Sequence, residues 1–200
     1  MSKEKTERLE SQLRQRAKMA LRSRMRAVRG ALPDSACDAR SKKIDARLWE
    51  LTELERASTV LAFGSIGNEV RTRAFMESAW AKGKRVGLPR VVGDELLLHL
   101  VERGTALAKG SYSVPEPAED APRLEPIDVD FALIPALAVD SRGYRIGYGA
   151  GYYDRLIPLL KRACTCAVAY DFQLISEVPE LPFDVAVDLV VTDERVIRSR

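Results

Sequence analysis

The sequence predicts an α/β fold, a single three-layer α/β/α domain with a mainly parallel, Rossmann-like central sheet. Three observations predict it. Residues 59–66, 131–139, 165–170 and 188–192 are short runs dominated by Val, Leu, Ile, Ala and Phe. Such runs suit strands buried on both faces, as parallel strands are. Helix-patterned segments separate several of them, so crossovers return the chain in the same direction. No internal repeat or domain-sized linker divides the 200 residues, a length at which one domain buries roughly 70% of the surface its unfolded chain exposes.

Taken in order, residues 7–30 predict a basic N-terminal helix without Pro or internal Gly. The first thirty residues hold ten Lys or Arg against three Asp or Glu, a net of +7, whereas the whole chain carries +3, leaving −4 for the other 170. Leu13, Ala17, Ala20, Leu21 and Val28 supply a narrow apolar stripe, and Lys18 and Arg22, four apart, share a face. The basic face reads either as solvated or as a nucleic-acid arm, although it has no aromatics to stack on bases. Pro33 and Asp34 open a second helix carrying Cys37, Ile44, Leu48 and Leu51. A first strand spans 59–66, Gly67 and Asn68 turn the chain, and Thr72 caps a helix that runs to about Lys82 and closes at Gly83. Glu69 therefore falls in a loop after a strand, where open α/β sheets bind ligands. Residues 85–88 and 96–101 are short strands around a Gly93-Asp94 turn, and 109–126 form a long Pro- and acid-rich connection of the kind used as lids.

The most informative stretch is 130–160. A buried strand leads through Gly147, Tyr148, Gly149, Ala150 and Gly151 into Tyr152-Tyr153-Asp154 and a short helix that Pro158 kinks or restarts. Glycines let backbone N–H groups approach an anion closely, Arg145 and Arg155 add positive charge, and Asp154 offers the hard oxygen that magnesium takes among phosphates. The same letters also make an ordinary turn. No Gly-Lys-Ser/Thr follows, which excludes a Walker A loop; Tyr152 stands where a dinucleotide fingerprint needs its third glycine, though Asp171 keeps a nicotinamide site formally open.

Cys37, Cys164 and Cys166 are an odd count with only His99 for company, so buried inert thiols are expected in place of a zinc site. His99, inside an apolar run, reads as a strand histidine. No apolar run approaches the ~18 residues of a membrane span, and the charged N-terminus lacks a signal-peptide core, so a cytoplasmic enzyme is expected.

The string Arg145-Ile-Gly-Tyr-Gly-Ala-Gly-Tyr-Tyr-Asp-Arg155 closely resembles the signature of the 5-formyltetrahydrofolate cyclo-ligase (5,10-methenyltetrahydrofolate synthetase) family. K-M-A-L-R near the start, N-E-V-R-T, V-P-E-P and V-D-L-V-V-T follow the family order over roughly Lys18 to Thr192. The resemblance implies ATP as co-substrate with Mg2+, 5-formyltetrahydrofolate as substrate, no membrane or nucleic-acid partner, and a monomer. It assigns Lys18, Arg22, Arg145, Gly147, Tyr148, Gly149, Ala150, Gly151 and Tyr153 to ATP. Glu69, Tyr112, Tyr148 and Tyr152 go to the folate, Arg145 and Tyr152 to catalysis, and Asp154 and Asp188 to magnesium. Asp184 alone reads as a strand-edge charge. Three positions depart from the family pattern: Arg71, Tyr112 in place of a more usual tryptophan, and Ala150 where some members have lysine.

Overall fold

The computed structural model describes residues 3–110 and 113–199. The chain opens with α1 (Lys3–Gly30), α2 (Asp34–Leu48) and α3 (Thr52–Arg56), then β1 (Thr59–Leu61), α4 (Arg73–Ala81) and the hairpin strands β2 (Arg85–Val92) and β3 (Glu95–Val101). A small hairpin, β4 (Ala108–Lys109) and β5 (Pro115–Glu116), interrupts the long connection. Then come β6 (Phe131–Pro135), the hairpin β7 (Ala138–Val139) and β8 (Arg145–Ile146), α5 (Tyr152–Leu156), β9 (Cys164–Val168), β10 (Leu189–Val191) and β11 (Val196–Arg198).

Seven strands form one sheet in the order β11-β10-β9-β6-β1-β2-β3. The inner five pair in parallel, and an antiparallel strand closes each edge. This is the α/β class with a mostly parallel central sheet. Successive residues of the inner strands alternate between two cores. Val60, Leu133, Cys166 and Val191 join α2 and α4 residues such as Ile44, Leu48 and Phe75 on one face. Leu61, Ala132, Ile134, Ala167 and Val190 meet Leu156, Ile157 and Leu160 on the other. Both faces of each inner strand are therefore apolar, which accounts for the unalternating sequence runs.

Several local expectations change. The run 131–139 is broken after Pro135, and the chain reaches β7 through Ala136 and Leu137, whose carbonyls accept hydrogen bonds from Gln173 Nε2 at 3.0 and 2.9 Å. Thr72 stands at the N-cap of α4, where its carbonyl accepts from Met76 N at 3.0 Å, but its side chain does not cap the helix and its Oγ1 donates to Phe63 O at 2.6 Å. Pro158 does mark a restart, since α5 ends at Leu156 and a 3-10 turn follows at Ile157–Leu159. The largest revision concerns α1. Leu13 and Val28 lie 54% and 45% exposed, and the positions turned inward are Lys18, Met25 and Arg29. Helical geometry alone puts 18, 22, 25 and 29 on one face, and polar demand from the site, not apolar patterning, selects that face. Lys18 and Arg29 thus point into the protein.

Candidate active site

The strand order reverses between β1 and β6: from β1 the chain builds outward through β2 and β3, and from β6 the other way. A crevice opens at the carboxyl ends of strands at such a switch point. Here it is a cavity of about 880 Å³ bounded by α1, the segment after β1, the β2–β3 hairpin, β5 and the glycine-rich loop. That volume lies in the range of sites for drug-sized ligands.

The loop that forms one wall needs its glycines. Gly149 and Gly151 have φ of +111° and +73°, values a side chain rarely adopts. Arg22 Nε donates to Gly147 O at 3.0 Å and Arg26 to Tyr148 O at 3.2 Å, so α1 holds the loop by its carbonyls. On the far side Arg155 is not a free phosphate cation. Its Nε donates to Asp94 O at 2.8 Å and its guanidinium to Ala150 O at 2.9 Å, while Tyr152 OH donates to Gly93 O at 3.3 Å. The loop is clasped between the N-terminal helix and the β2–β3 turn.

Cations and carboxylates meet at one end of the cavity. Lys18 forms an ion pair with Asp184, both side chains buried. Arg145, almost fully buried, donates to Asp154 Oδ1 at 3.1 Å and to Val185 O at 2.9 Å, and Val185 N reaches Asp154 Oδ1 at 3.4 Å. Burial pulls the Arg145 guanidinium below its usual range, opposed by the Asp154 charge. The Tyr153 phenol is likewise pushed up by burial. Lys18, Arg22, Arg145, Gly147, Tyr148, Gly149, Ala150, Gly151, Tyr152, Tyr153 and Asp154 all line this cavity.

Glu69 lines another part of it, buried, with Oε2 accepting from Ile66 N at 3.1 Å and Oε1 3.6 Å from Arg29. Arg29 also donates to Tyr148 OH, so helix, glutamate and loop meet at one guanidinium. Burial pushes the Glu69 carboxyl up, with Arg29 pulling the other way.

Asp188 does not belong to this site. It precedes β10 at the amino end of the parallel strands, where Oδ2 accepts from Thr165 N at 2.9 Å and Thr165 Oγ1 at 2.6 Å. Asp154 sits at the carboxyl end, so the two cannot share an ion. The carboxylate that does join Asp154 is Asp184, four residues earlier in the same segment. Among the described residues no group of three His, Cys, Asp or Glu forms a ready metal site. Asp171, the residue that kept a nicotinamide reading open, is held by Arg195 and Thr192 Oγ1, each at 2.8 Å, and does not line the cavity. Tyr112 lies outside the described residues. Arg71 points away, paired with Asp34 at 2.7 Å and Asp38 at 3.6 Å, so that departure does not reach the site.

The remaining candidates are structural. His99 is fully buried, its Nδ1–H donating to Ala121 O at 2.8 Å. Burial, then the charge of Asp188, pushes the Cys164 thiol up to about 12, and burial likewise raises Cys166 well above the ordinary thiol range. Among the described residues no helix is long and apolar enough to cross a membrane.

Residues 14–193 match the 5-formyltetrahydrofolate cyclo-ligase family. The chain is 32% identical to the 5-formyltetrahydrofolate cyclo-ligase of Mycolicibacterium smegmatis, an alignment covering 91% of this chain and 96% of that protein. Its fold is similar to that of the Aquifex aeolicus 5,10-methenyltetrahydrofolate synthetase, with a TM-score of 0.82 and 34% identity over 92% of this chain and 93% of that one. The Mycoplasma pneumoniae 5,10-methenyltetrahydrofolate synthetase follows at 0.72 and 28%, over 88% and 98%. With the match spanning most of the sequence and the glycine-rich loop, Lys18 and Asp154 converging on one cavity, the chain belongs to the 5-formyltetrahydrofolate cyclo-ligase family.

Proposed function

We propose that this chain is an enzyme that cyclises 5-formyltetrahydrofolate to 5,10-methenyltetrahydrofolate at the expense of ATP with Mg2+, releasing ADP and phosphate. The observation that carries the reading is that one cavity brings cations, a glycine-rich backbone and apolar side chains together. Lys18, Arg22, Arg145 and the 147–151 backbone suit a triphosphate. Phe63, Pro89, Val91, Leu96 and Val114 suit a flat heterocycle, with Glu69 among the lining residues.

The formyl amide is a poor electrophile. Its oxygen attacks the γ-phosphorus and ADP departs; the neighbouring folate nitrogen then attacks the activated carbon, and phosphate leaves with that oxygen. No protein nucleophile is needed, which agrees with a site built of cations, glycines and carboxylates. The chain contributes position and charge neutralisation. Lys18 and Arg145, now paired with Asp184 and Asp154, are placed to exchange those partners for phosphate oxygens. Asp154 and Asp184 fit magnesium, which is commonly held by one or two carboxylates plus substrate phosphates. When bound, the ion neutralises charge on the transferring phosphoryl group. Tyr152 and Tyr148 line the same cavity. Residues 1–200 are read as one Rossmann-like α/β/α domain, supported by helical segments against both faces of the sheet, acting as a monomer in the cytoplasm.

The test is the near-ultraviolet absorbance of 5,10-methenyltetrahydrofolate in mixtures of protein and 5-formyltetrahydrofolate. A signal that requires both ATP and Mg2+ is expected. No signal from protein that binds both compounds would overturn the reading.

A further inference from the structure

Besides Glu69 and Asp184, a third buried carboxylate lines the cavity. Glu116, on β5, is only 3% exposed. Its environment is apolar on the cavity side: Phe63, Pro89, Val91, Leu96 and Val114 line the same space. Among the described residues its own partners are distant. Oε1 accepts from Val91 N at 3.4 Å, and Oε2 lies 3.9 Å from Arg90, beyond hydrogen-bond reach. Glu69 contrasts with it, because its oxygens are engaged by Ile66 N and by the Arg29–Tyr148 pair. A buried carboxylate has about four acceptor positions, and leaving them unfilled costs far more than a typical neutral group would.

The position is also prepared. The Glu116 side chain lies where a side chain on Gly110 would begin, so the β4–β5 turn leaves a notch for this carboxylate. Gly110 N donates to Val114 O at 2.9 Å, closing the turn. The segment is pressed against the chain after β1, since a Cβ on Gly64 would strike Pro115 O. Glu116 is therefore fixed from two sides.

We propose that Glu116 is the substrate-specificity residue that receives the donor edge of the heterocycle. Two adjacent N–H groups, a ring amide-type N–H beside an exocyclic amine, match the two oxygens of one carboxylate, as in other bidentate pairs. The pterin of 5-formyltetrahydrofolate presents that pair. Glu69 then acts from behind, anchoring α1 and the glycine-rich loop through Arg29. This inference rests on the folate reading above and adds to it which side chain meets the ring.

The test measures binding by calorimetry, without turnover, for the native chain, Glu116→Gln and Glu69→Gln. The probes are 5-formyltetrahydrofolate, its analogue lacking the exocyclic amine, and a non-hydrolysable ATP analogue with Mg2+. Glu116→Gln should weaken 5-formyltetrahydrofolate by about 10- to 100-fold, the range for a hydrogen bond to a charged group. Nucleotide affinity should stay unchanged, and the native preference for the amine-bearing ligand should collapse. Glu69→Gln should retain that preference. The proposal is overturned if Glu116→Gln binds 5-formyltetrahydrofolate as the native chain does, or loses both folates equally. Should Glu116→Gln fail to fold, Glu116→Asp keeps the charge and withdraws it by one methylene. It must then lower the preference, and an unchanged preference is equally fatal. A native chain that binds neither folate removes the folate reading along with this one, whereas native binding with an indifferent Glu116 removes this inference alone.

Discussion

The two ends of the parallel sheet use the same residue type for opposite purposes. At the amino end Asp130 and Asp188 accept from backbone: Asp130 Oδ2 from Ser58 N and Thr59 N, each at 3.0 Å, and Asp188 Oδ2 from Thr165 N and Oγ1. At the carboxyl end Asp154 and Asp184 are paired with the cations Arg145 and Lys18 inside the cavity. A carboxylate whose nearest partners are backbone and hydroxyl groups of neighbouring strands fastens those strands. One held by a lysine or arginine can be exchanged when a phosphate offers the cation a second anion. Asp154 and Asp184 also accept from backbone, from Val185 N at 3.4 Å and Leu181 N at 2.7 Å, so what sets them apart from Asp130 and Asp188 is the buried cation beside each, inside the cavity.

Substitution can break that contrast. Asp154→Ala is expected to reduce cyclisation by at least about 10³-fold with the unfolding transition little changed, and Asp184→Ala by about 10²-fold, the scale seen when a pre-placed electrostatic group is removed. Near-native rates for Asp184→Ala, measured by product absorbance, would place the second carboxylate elsewhere. Asp188→Ala should do the reverse. Turnover per folded molecule stays within a few-fold, while stability in urea falls by about 1–3 kcal/mol, because two donors lose a charged acceptor.

Acid titration sharpens it at Glu69. Burial raises its folded carboxyl above the ordinary 4.5, so between 4.5 and the raised value the folded chain holds a proton that the unfolded chain has lost. Its contribution to stability therefore declines as pH rises through that window and is recovered as pH falls. Glu69→Gln should remove this slope from the urea midpoint against pH, and an identical slope in both proteins would show that Glu69 is not its source. The smallest effect is expected outside the site. Arg71→Ala, losing exposed partners at Asp34 and Asp38, should cost no more than about 1 kcal/mol and leave turnover alone.

How much of this was legible depended on the kind of pattern involved. The inner strands announced themselves because both faces are buried, and the glycine-rich loop because Gly149 and Gly151 need a backbone that other residues resist. Asp184 and Asp188 could not be told apart by spacing: four residues separate them, but the chain crosses from the cavity to the far end of the sheet between them. The site face of α1 was also obscured. An apolar stripe through Leu13 and Val28 looked like the packing face, whereas the 18, 22, 25, 29 periodicity of Lys18, Arg22, Met25 and Arg29 was the true signal. Arg29 was missed for that reason. Glu116 stood in a quoted motif, V-P-E-P, but its burial arises from contacts with Val91 and Arg90, remote in sequence, and with Gly110 across its own turn.

Arg155 and Tyr152 tie the glycine-rich loop to the Gly93-Asp94 turn through carbonyl acceptors on both sides. The two are thereby mechanically coupled: the glycine-rich wall of the cavity cannot swing without the tip of the β2–β3 hairpin. Amide hydrogen exchange at residues 93–95 and 147–151 should accelerate together, slow together when nucleotide is added, and become independent in Arg155→Ala. The tip of a β-hairpin would then set the pace at which the cavity opens to solvent.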